Sequence, residues 1–175
     1  MNVFVYNTIL KKEDIMADYK EYIDEGIYNI QIGNFELAIE KITKSIDLKN
    51  DWEISYFYRG VANQALEYYD DAMLDYTKAI QINEKMTDAY YNRARIILTR
   101  RDIENPNYNN AVSDLERALE QDAKFIDALY AMAVAHKNLG NYQESLIYLD
   151  KLLEIEPQAI NAKALKALLI KKYIK

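Results

Sequence analysis

Residues 22–38 read YIDEGIYNIQIGNFELA, and residues 56–72 read YFYRGVANQALEYYDDA. The two stretches carry similar residues at matching positions, thirty-four positions apart. The tyrosine, glycine and alanine positions that keep this interval are Tyr22, Tyr56 and Tyr90; Gly26 and Gly60; Ala38 and Ala72. A fixed period of this length indicates stacked copies of one small supersecondary unit.

The period is interrupted once, in the third copy. Tyr69 recurs as Tyr108 and then as Tyr142; the first of these intervals is five positions longer than the period, and the second equals it. The segment Arg100–Asn110 (RRDIENPNYNN) contains a proline and four asparagines, which predicts a loop that absorbs the insertion. Two roles remain open for this loop: contact with a partner, or an insertion without a function of its own.

Each copy has the residue pattern of two helices. Apolar residues recur three and four positions apart on both sides of Gly33-Asn34, a pair that is typical of a helix stop followed by a polar start. The two apolar stripes of the first copy are Tyr22, Ile23, Gly26, Ile27 and Ile30, then Phe35, Ala38, Ile39, Ile42 and Ile46. We therefore predict two antiparallel helices joined by a tight turn, with small residues such as Gly26 and Ala38 allowing a close approach.

Four segments in register carry this pattern: Tyr22-x2-Glu25-Gly26-x2-Asn29…Ala38-x3-Ile42, Tyr56-x2-Arg59-Gly60-x2-Asn63…Ala72-x3-Tyr76, Tyr90-x2-Arg93-Ala94-x2-Ile97…Ala111-x3-Leu115 and Leu129-x2-Met132-Ala133-x2-His136…Ser145-x3-Leu149…Pro157. Together they resemble the tetratricopeptide repeat family, whose pattern is W-x2-L-G-x2-Y…A-x3-F…P. The chain departs from it in lacking Trp at the first position and Pro at three of the four unit ends. The resemblance covers roughly 17–157.

The resemblance implies an all-α fold, a right-handed α-solenoid of about four helix-turn-helix repeats with a C-terminal capping helix. The expected organisation is an N-terminal extension (1–16), a repeat array (17–158) with units at about 19–52, 53–86, 87–125 and 126–158, and the capping helix (159–175). Residues 1–15 lie outside the repeat, and three interpretations stay open for them: a packed element, a flexible tail, or a mis-assigned start before Met16.

Charged residues in the first helices predict which side chains meet across each unit. Glu25, Arg59 and Arg93 have an opposite charge sixteen residues later, or twenty-one in the copy with the insertion. We expect four contacts, each worth about 0–1 kcal/mol if partly exposed: Glu25–Lys41, Arg59–Asp75, Arg93–Asp114 and the largely apolar Met132–Tyr148.

Composition excludes several functional classes. The 28 acidic residues outnumber the 22 basic ones, so the net charge is −6, which argues against nucleic-acid binding. No apolar run is long enough for a membrane span, the N-terminus is a poor signal peptide, and there is no cysteine. We therefore expect a cytoplasmic protein that binds neither nucleic acid nor membrane.

Motifs of catalysis and cofactor binding are missing. His136 is the only histidine and is expected to be a half-buried structural residue. The chain has no phosphate-binding glycine loop, no G-x-S-x-G and no H-E-x-x-H. We expect no enzyme activity, no catalytic residue, no cofactor and no metal.

The candidate binding site follows from the first helices, which in the family line a concave face. A stripe beside the packing positions is apolar and aromatic in the early units and more polar towards the fourth. The predicted peptide contacts are Ile54, Phe57, Tyr58, Tyr91, Asn92, Arg95 and Tyr130. The alternative is that neighbouring repeats or residues 1–15 fill part of this stripe.

One family subtype is not expected here. Members that clamp the acidic C-terminal tails of chaperones use Lys, Asn and Arg across three first helices. The matching positions include Ile23, Ile27, Tyr58 and Asp88, and only Asn92 fits. We therefore predict no binding to such tails.

The sequence thus favours a scaffold or adaptor that binds a peptide segment of a partner protein. The alternative is a small acidic secretion-type chaperone that keeps an apolar substrate segment soluble. The helix after Pro157 carries five lysines and no acid. It is expected to be a cap, with a basic landing patch or a homo-oligomer seam as the alternatives.

Overall fold

The computed structural model describes residues 18–100, 102–104 and 106–173. The predicted extension 1–16, with its three interpretations, lies outside the described residues, as do the last two residues of the predicted cap. All regular structure in the described part is α-helical: α1 (18–31), α2 (Phe35–Leu48), α3 (Glu53–Ala65), α4 (Tyr69–Ile82), α5 (Thr87–Thr99), α6 (Tyr108–Gln121), α7 (Ile126–Asn138), α8 (Tyr142–Ile155) and α9 (Ile160–Tyr173).

The turns inside the helix pairs follow one design. Gly33, Glu67 and Gly140 follow α1, α3 and α7 with positive φ of 79°, 62° and 80°. After α1 the amide of Asn34 donates to the carbonyl of Asn29 at 2.8 Å, and the other two turns close in the same way. This is the Schellman arrangement, which satisfies carbonyls at a helix end, and it confirms the predicted stop at Gly33.

The loop of the third pair is shorter than predicted. Helix α5 ends at Thr99 and α6 begins at Tyr108, so residues 108–110 of the predicted loop 100–110 form the first turn of α6. The amide of Asn110 already donates to the carbonyl of Asn107 at 3.1 Å. The asparagines that suggest a loop are equally suited to a helix start, which explains the difference.

The chain forms two compact units, divided between residues 84 and 85. In the first unit, α3 packs between α2 and α4. A Cβ added to Gly60 would lie 2.8 Å from Tyr76 Cε1, and one added to Gly26 would lie 2.3 Å from Ile42 Cγ1. The predicted close approach at the glycines is confirmed, although the nearest atoms are these side chains rather than the alanines.

The second unit contains α5–α9. One apolar cluster joins α5, α6 and α7 around Ala94, Leu115 and Met132, and another joins α7, α8 and α9 around Leu149 and Leu169. Each helix in this unit therefore packs against its neighbours in the chain, with alanines at many of the closest positions.

The predicted contacts across the helix pairs are confirmed. Salt bridges join Lys41 to Glu25 at 2.5 Å, Arg59 to Asp75 at 2.7 Å and Arg93 to Asp114 at 2.6 Å. Tyr148 packs against the apolar cluster that contains Met132. The small contribution expected of a partly exposed pair does not apply to two of these pairs, because the side chains of Asp75 and Asp114 are only 7% and 9% exposed. Removing the partner of a buried carboxylate costs far more stability than removing the partner of an exposed one.

Candidate functional site

In the first unit, three predicted contact residues lie on α3 and are half-buried: Ile54, Phe57 and Tyr58. The Phe57 ring meets the Tyr58 ring edge-on at 5.2 Å and lies 5.9 Å from the ring of Tyr76. Tyr76 is fully buried, and its hydroxyl donates to Gln64 Oε1 at 2.8 Å. The buried ring of Tyr76 thus holds the ring of Phe57 in place. Ile54, Phe57 and Tyr58 each remain partly exposed to solvent.

In the second unit, α5 carries Tyr91, Asn92 and Arg95. The Tyr91 ring lies 5.0 Å from the ring of Phe125, and the Arg95 guanidinium lies 5.7 Å from the Tyr91 centroid. Burial raises the pKa of the Tyr91 phenol, the charge of Asp127 adds to this, and Arg95 opposes it. Tyr91 therefore stays protonated at neutral pH, with its ring fixed by two neighbours.

Asn92 is half-buried beside Tyr91. Among the residues that the structure describes, its side-chain amide has no hydrogen-bond partner. A peptide amide placed there could both donate to it and accept from it.

Tyr130 of α7 lines a cavity of about 480 Å³. The other lining residues come from α7, α8, the turn after α8 and the first turn of α9: Ile126, Asp127, Leu152, Glu156, Gln158, Ala159, Ile160, Asn161 and Ala162. Leu152 and Ala162 are each 1% exposed and contribute an apolar part, while Asp127 and Glu156 are exposed acids. The lining thus combines an apolar surface with negative charge.

The structure groups the predicted residues by unit. Tyr91 and Tyr130 lie on α5 and α7 of the second unit, and Asp127 lines the cavity beside Tyr130. The sequence analysis missed Phe125 as a contact of Tyr91, and it missed the residues at 156–162. Phe125 shows one usable signal, an aromatic residue directly before a helix start, but the turn into α9 shows none.

His136 is half-buried, as predicted. Its ring stacks on Tyr148 at 5.5 Å, and in the described part of the chain its Nδ1 has no hydrogen-bond partner. Burial lowers the pKa of His136, with Glu144 and Glu116 acting in the opposite direction. Within residues 18–173, as far as they are described, no group of three or more His, Cys, Asp or Glu side chains is placed to hold a metal ion. No helix of this part has the length and apolar character needed to span a bilayer.

Comparison with known proteins places these observations in context. Residues 126–175 match the family model described as the Fis1 C-terminal tetratricopeptide repeat. Sperm-associated antigen 1 of Homo sapiens is 38% identical over 95 residues, which are 54% of this chain and 10% of that protein. The chain thus spans about a tenth of the length of this relative.

Two solved structures resemble this fold. MamA 41-end from Desulfovibrio magneticus RS-1 gives a TM-score of 0.81 at 15% identity, covering 89% of this chain and 85% of that one. The first TPR of Spaghetti (RPAP3), bound to the HSP90 peptide SRMEEVD, gives 0.66 at 21% identity, covering 71% and 94%. At these identities the likeness shows the fold, and it confirms the predicted all-α solenoid class built from helix-turn-helix repeats.

Proposed function

We propose that this chain, which matches a tetratricopeptide repeat model at residues 126–175 and has the fold of a solved TPR domain, is a protein–protein interaction adaptor that holds a peptide segment of a partner protein on its first helices. The proposed contacts are Ile54, Phe57 and Tyr58 in the first unit and Tyr91, Asn92, Arg95 and Tyr130 in the second. The proposal includes no enzyme activity and no cofactor.

The observation that carries this proposal is the fixed but open ring of Tyr91. It is held at 5.0 Å by Phe125 and at 5.7 Å by the guanidinium of Arg95, yet it is only half-buried. Binding a ligand to side chains that are already ordered loses little conformational entropy. Tyr and Arg are also the residue types that most often dominate binding energy.

Neighbouring groups supply the polar part of the proposed contact. The amide of Asn92 suits a peptide backbone, and the cavity beside Tyr130 suits a side chain that has both an apolar stem and a positive or hydrogen-bonding end. Asp127 and Glu156 favour such an end by their charge. We therefore expect the bound segment to be mixed in character rather than uniformly acidic.

The test is affinity capture with three baits, read by mass spectrometry. The wild-type chain is compared with Tyr58→Ala/Tyr91→Ala and with a matched control, Tyr28→Ala/Tyr68→Ala. The control removes two tyrosines that are 60% and 53% exposed and lie outside the proposed contacts. All baits are first checked for equal helicity.

A partner that is caught by the wild type and the control, but lost from Tyr58→Ala/Tyr91→Ala, supports the proposal. Equal capture by all three baits would place the binding surface elsewhere.

Acidic chaperone tails provide a second, negative test. The RPAP3 domain was solved with the peptide SRMEEVD, whereas this chain has Ile23, Ile27, Tyr58 and Asp88 at positions where clamp proteins have cationic or amide groups. Asp88 is exposed and would repel such a tail. We predict no saturable binding of SRMEEVD by fluorescence anisotropy, and a clear low-micromolar titration would contradict this.

A further inference from the structure

Helix α9 continues the repeat as the first helix of another pair. The close-approach position held by Gly26, Gly60, Ala94 and Ala133 recurs one full period after Ala133 as Ala167. Ala162 is buried like Ala128, its counterpart one period earlier. The helix therefore keeps the orientation of a first helix relative to α7 and α8.

One face of α9 packs on α8 and α7. Ala162 and Leu169 are 1% and 0% exposed. The ring of Tyr173 stacks on Tyr142 at 4.0 Å, and Lys166 bonds Asp150 of α8 at 2.5 Å. These contacts hold α9 against α7 and α8.

The opposite face of α9 is exposed, and it is not polar in the way that a simple cap would be. Ile160 is 80% and Ile170 is 46% exposed, and between them Lys163 and Ala167 are also exposed. We call these four residues, spaced three and four apart, the open face. In the described part of the chain, no second helix packs on it.

Earlier pairs show what contacts these positions. In the pair α3/α4, Glu53 accepts from Asn83, Gly60 lies against the ring of Tyr76, and the amide of Asn63 donates to Asp75 at 3.0 Å. Glu53, Gly60 and Asn63 correspond by register to Ile160, Ala167 and Ile170. The open face is therefore the surface that the second helix of a pair covers.

The second helices also show which sequence fits. Residues 69–76 read YDDAMLDY and residues 108–115 read YNNAVSDL, so each has an aromatic residue, a buried alanine three positions later, then an aspartate and a buried residue. Helix α4 has three Asp and one Lys, and α6 has three acids and one Arg. Both fitting helices are therefore amphipathic and acidic.

Charge selects the same kind of occupant. Helix α9 contains four Lys and no acid, and Lys166 stands where Arg59 and Arg93 pair with Asp75 and Asp114. Lys166 forms a salt bridge with Asp150, sixteen residues earlier in the chain. Arg59 makes the equivalent contact with Thr43, and it also donates to Asp75 of the helix that follows. A second α9 would bring lysines against lysines, which disfavours self-association through this face.

From the register, the exposed apolar residues and the charge, we propose that the open face of α9 binds an acidic amphipathic helix of a partner protein, in the place that α4 takes against α3. Ile160 of the open face also lines the cavity beside Tyr130, but the register and charge of α9 do not depend on peptide binding at Tyr130.

The test uses a labelled peptide with the sequence of residues 107–123, NYNNAVSDLERALEQDA, as the acidic helix. Binding is measured by anisotropy to the 175-residue wild type, to Ala167→Arg and to the matched control Leu168→Arg. Both variants add one positive charge at an exposed position, which favours an acidic peptide. Only Ala167→Arg also fills the close-approach position.

The expected result is saturable binding by the wild type and by Leu168→Arg, with binding by Ala167→Arg weaker by on the order of tenfold. On the peptide side, Asp114→Lys should weaken binding to the wild type by a similar factor. This second variant keeps the test decisive even if Ala167→Arg lowers the helicity of the protein.

Three results would overturn the proposal: no saturable binding by the wild type, equal binding by both protein variants, or insensitivity to the peptide substitution. Sedimentation of the chain without peptide tests the remaining possibility, which is that a second copy of the chain occupies the open face. Wild-type self-association that Ala167→Arg abolishes would assign the open face to a second copy and refute the partner helix.

Discussion

Replacing Gly60 with alanine should destabilise the protein, although the same change at an ordinary position inside a helix is stabilising by about 1 kcal/mol. The added Cβ would lie 2.8 Å from Tyr76 Cε1 and 3.0 Å from Cδ1. Favourable carbon–carbon contacts are about 3.5–4.0 Å long, so the ring would have to move by roughly 1 Å. Tyr76 is 0% exposed and its hydroxyl bonds Gln64, so little space is available.

The magnitude follows from these contacts. Overpacking of a filled core costs about 1–3 kcal/mol, and a weakened Tyr76–Gln64 hydrogen bond adds about 1 kcal/mol. After subtracting the helix preference for alanine, we expect Gly60→Ala to lower the free energy of unfolding by about 1–3 kcal/mol.

A matched background separates the clash from the helix preference. The later pairs have an alanine facing a leucine, Ala94 with Leu115 and Ala133 with Leu149, at the positions of Gly60 and Tyr76. In a Tyr76→Leu background the same Gly60→Ala change should therefore be neutral or stabilising by up to about 1 kcal/mol.

The assay is urea unfolding, followed by circular dichroism, of the wild type, both single variants and the double variant. The reasoning predicts a favourable coupling of at least about 1 kcal/mol between the two substitutions. If Gly60→Ala raises the free energy of unfolding equally in both backgrounds, the added Cβ does not clash with the Tyr76 ring and the reasoning is refuted.

Three further outcomes follow from single contacts. Arg59→Ala should cost about 3 kcal/mol in urea unfolding, since it removes the cationic partner of the buried carboxylate of Asp75 and leaves the hydrogen bond from Asn63. Lys41→Ala at the more exposed pair should cost less than about 1 kcal/mol; equal costs would contradict this. Glu67→Gly should raise the free energy of unfolding by about 1 kcal/mol, because Glu67 has a φ of 62° where the matching turns have glycine; an unchanged midpoint would exclude strain there. Burial lowers the pKa of His136, so the folded state favours its neutral form. Stability should be complete above about pH 6.5 and decrease from there towards the lowered pKa. His136→Asn should flatten this part of a pH–stability curve, and an unchanged slope would show that other groups cause it.

The sequence predicts only part of the proposed binding site. Repeat spacing places Tyr91 and Tyr130 on first helices, and the structure leaves both half-buried in the second unit. Spacing could not indicate that Phe125 fixes Tyr91, or that the turn into α9 closes a cavity over Tyr130. Phe125 and Ala159 lie one period apart, as do Tyr91 and Tyr130 once the five inserted residues are counted, so the period marks equivalent positions but not the side-chain contacts made there.

The sequence by itself determined the helix pairs, their turns and the charged residues that meet across each pair. Helix geometry fixes which side chains share a face, and a repeated turn carries the same pairing from one unit to the next, so spacing alone is sufficient. Only the tertiary structure decided how deeply each group is buried, and therefore how much it contributes. The shielding of Asp75 and Asp114, the contact of Gly60 with Tyr76 and the exposure of Ile160 and Ile170 on α9 all depend on which neighbours cover a face. Burial is a property of the packed assembly of helices, and a linear pattern specifies the faces without specifying what lies against them.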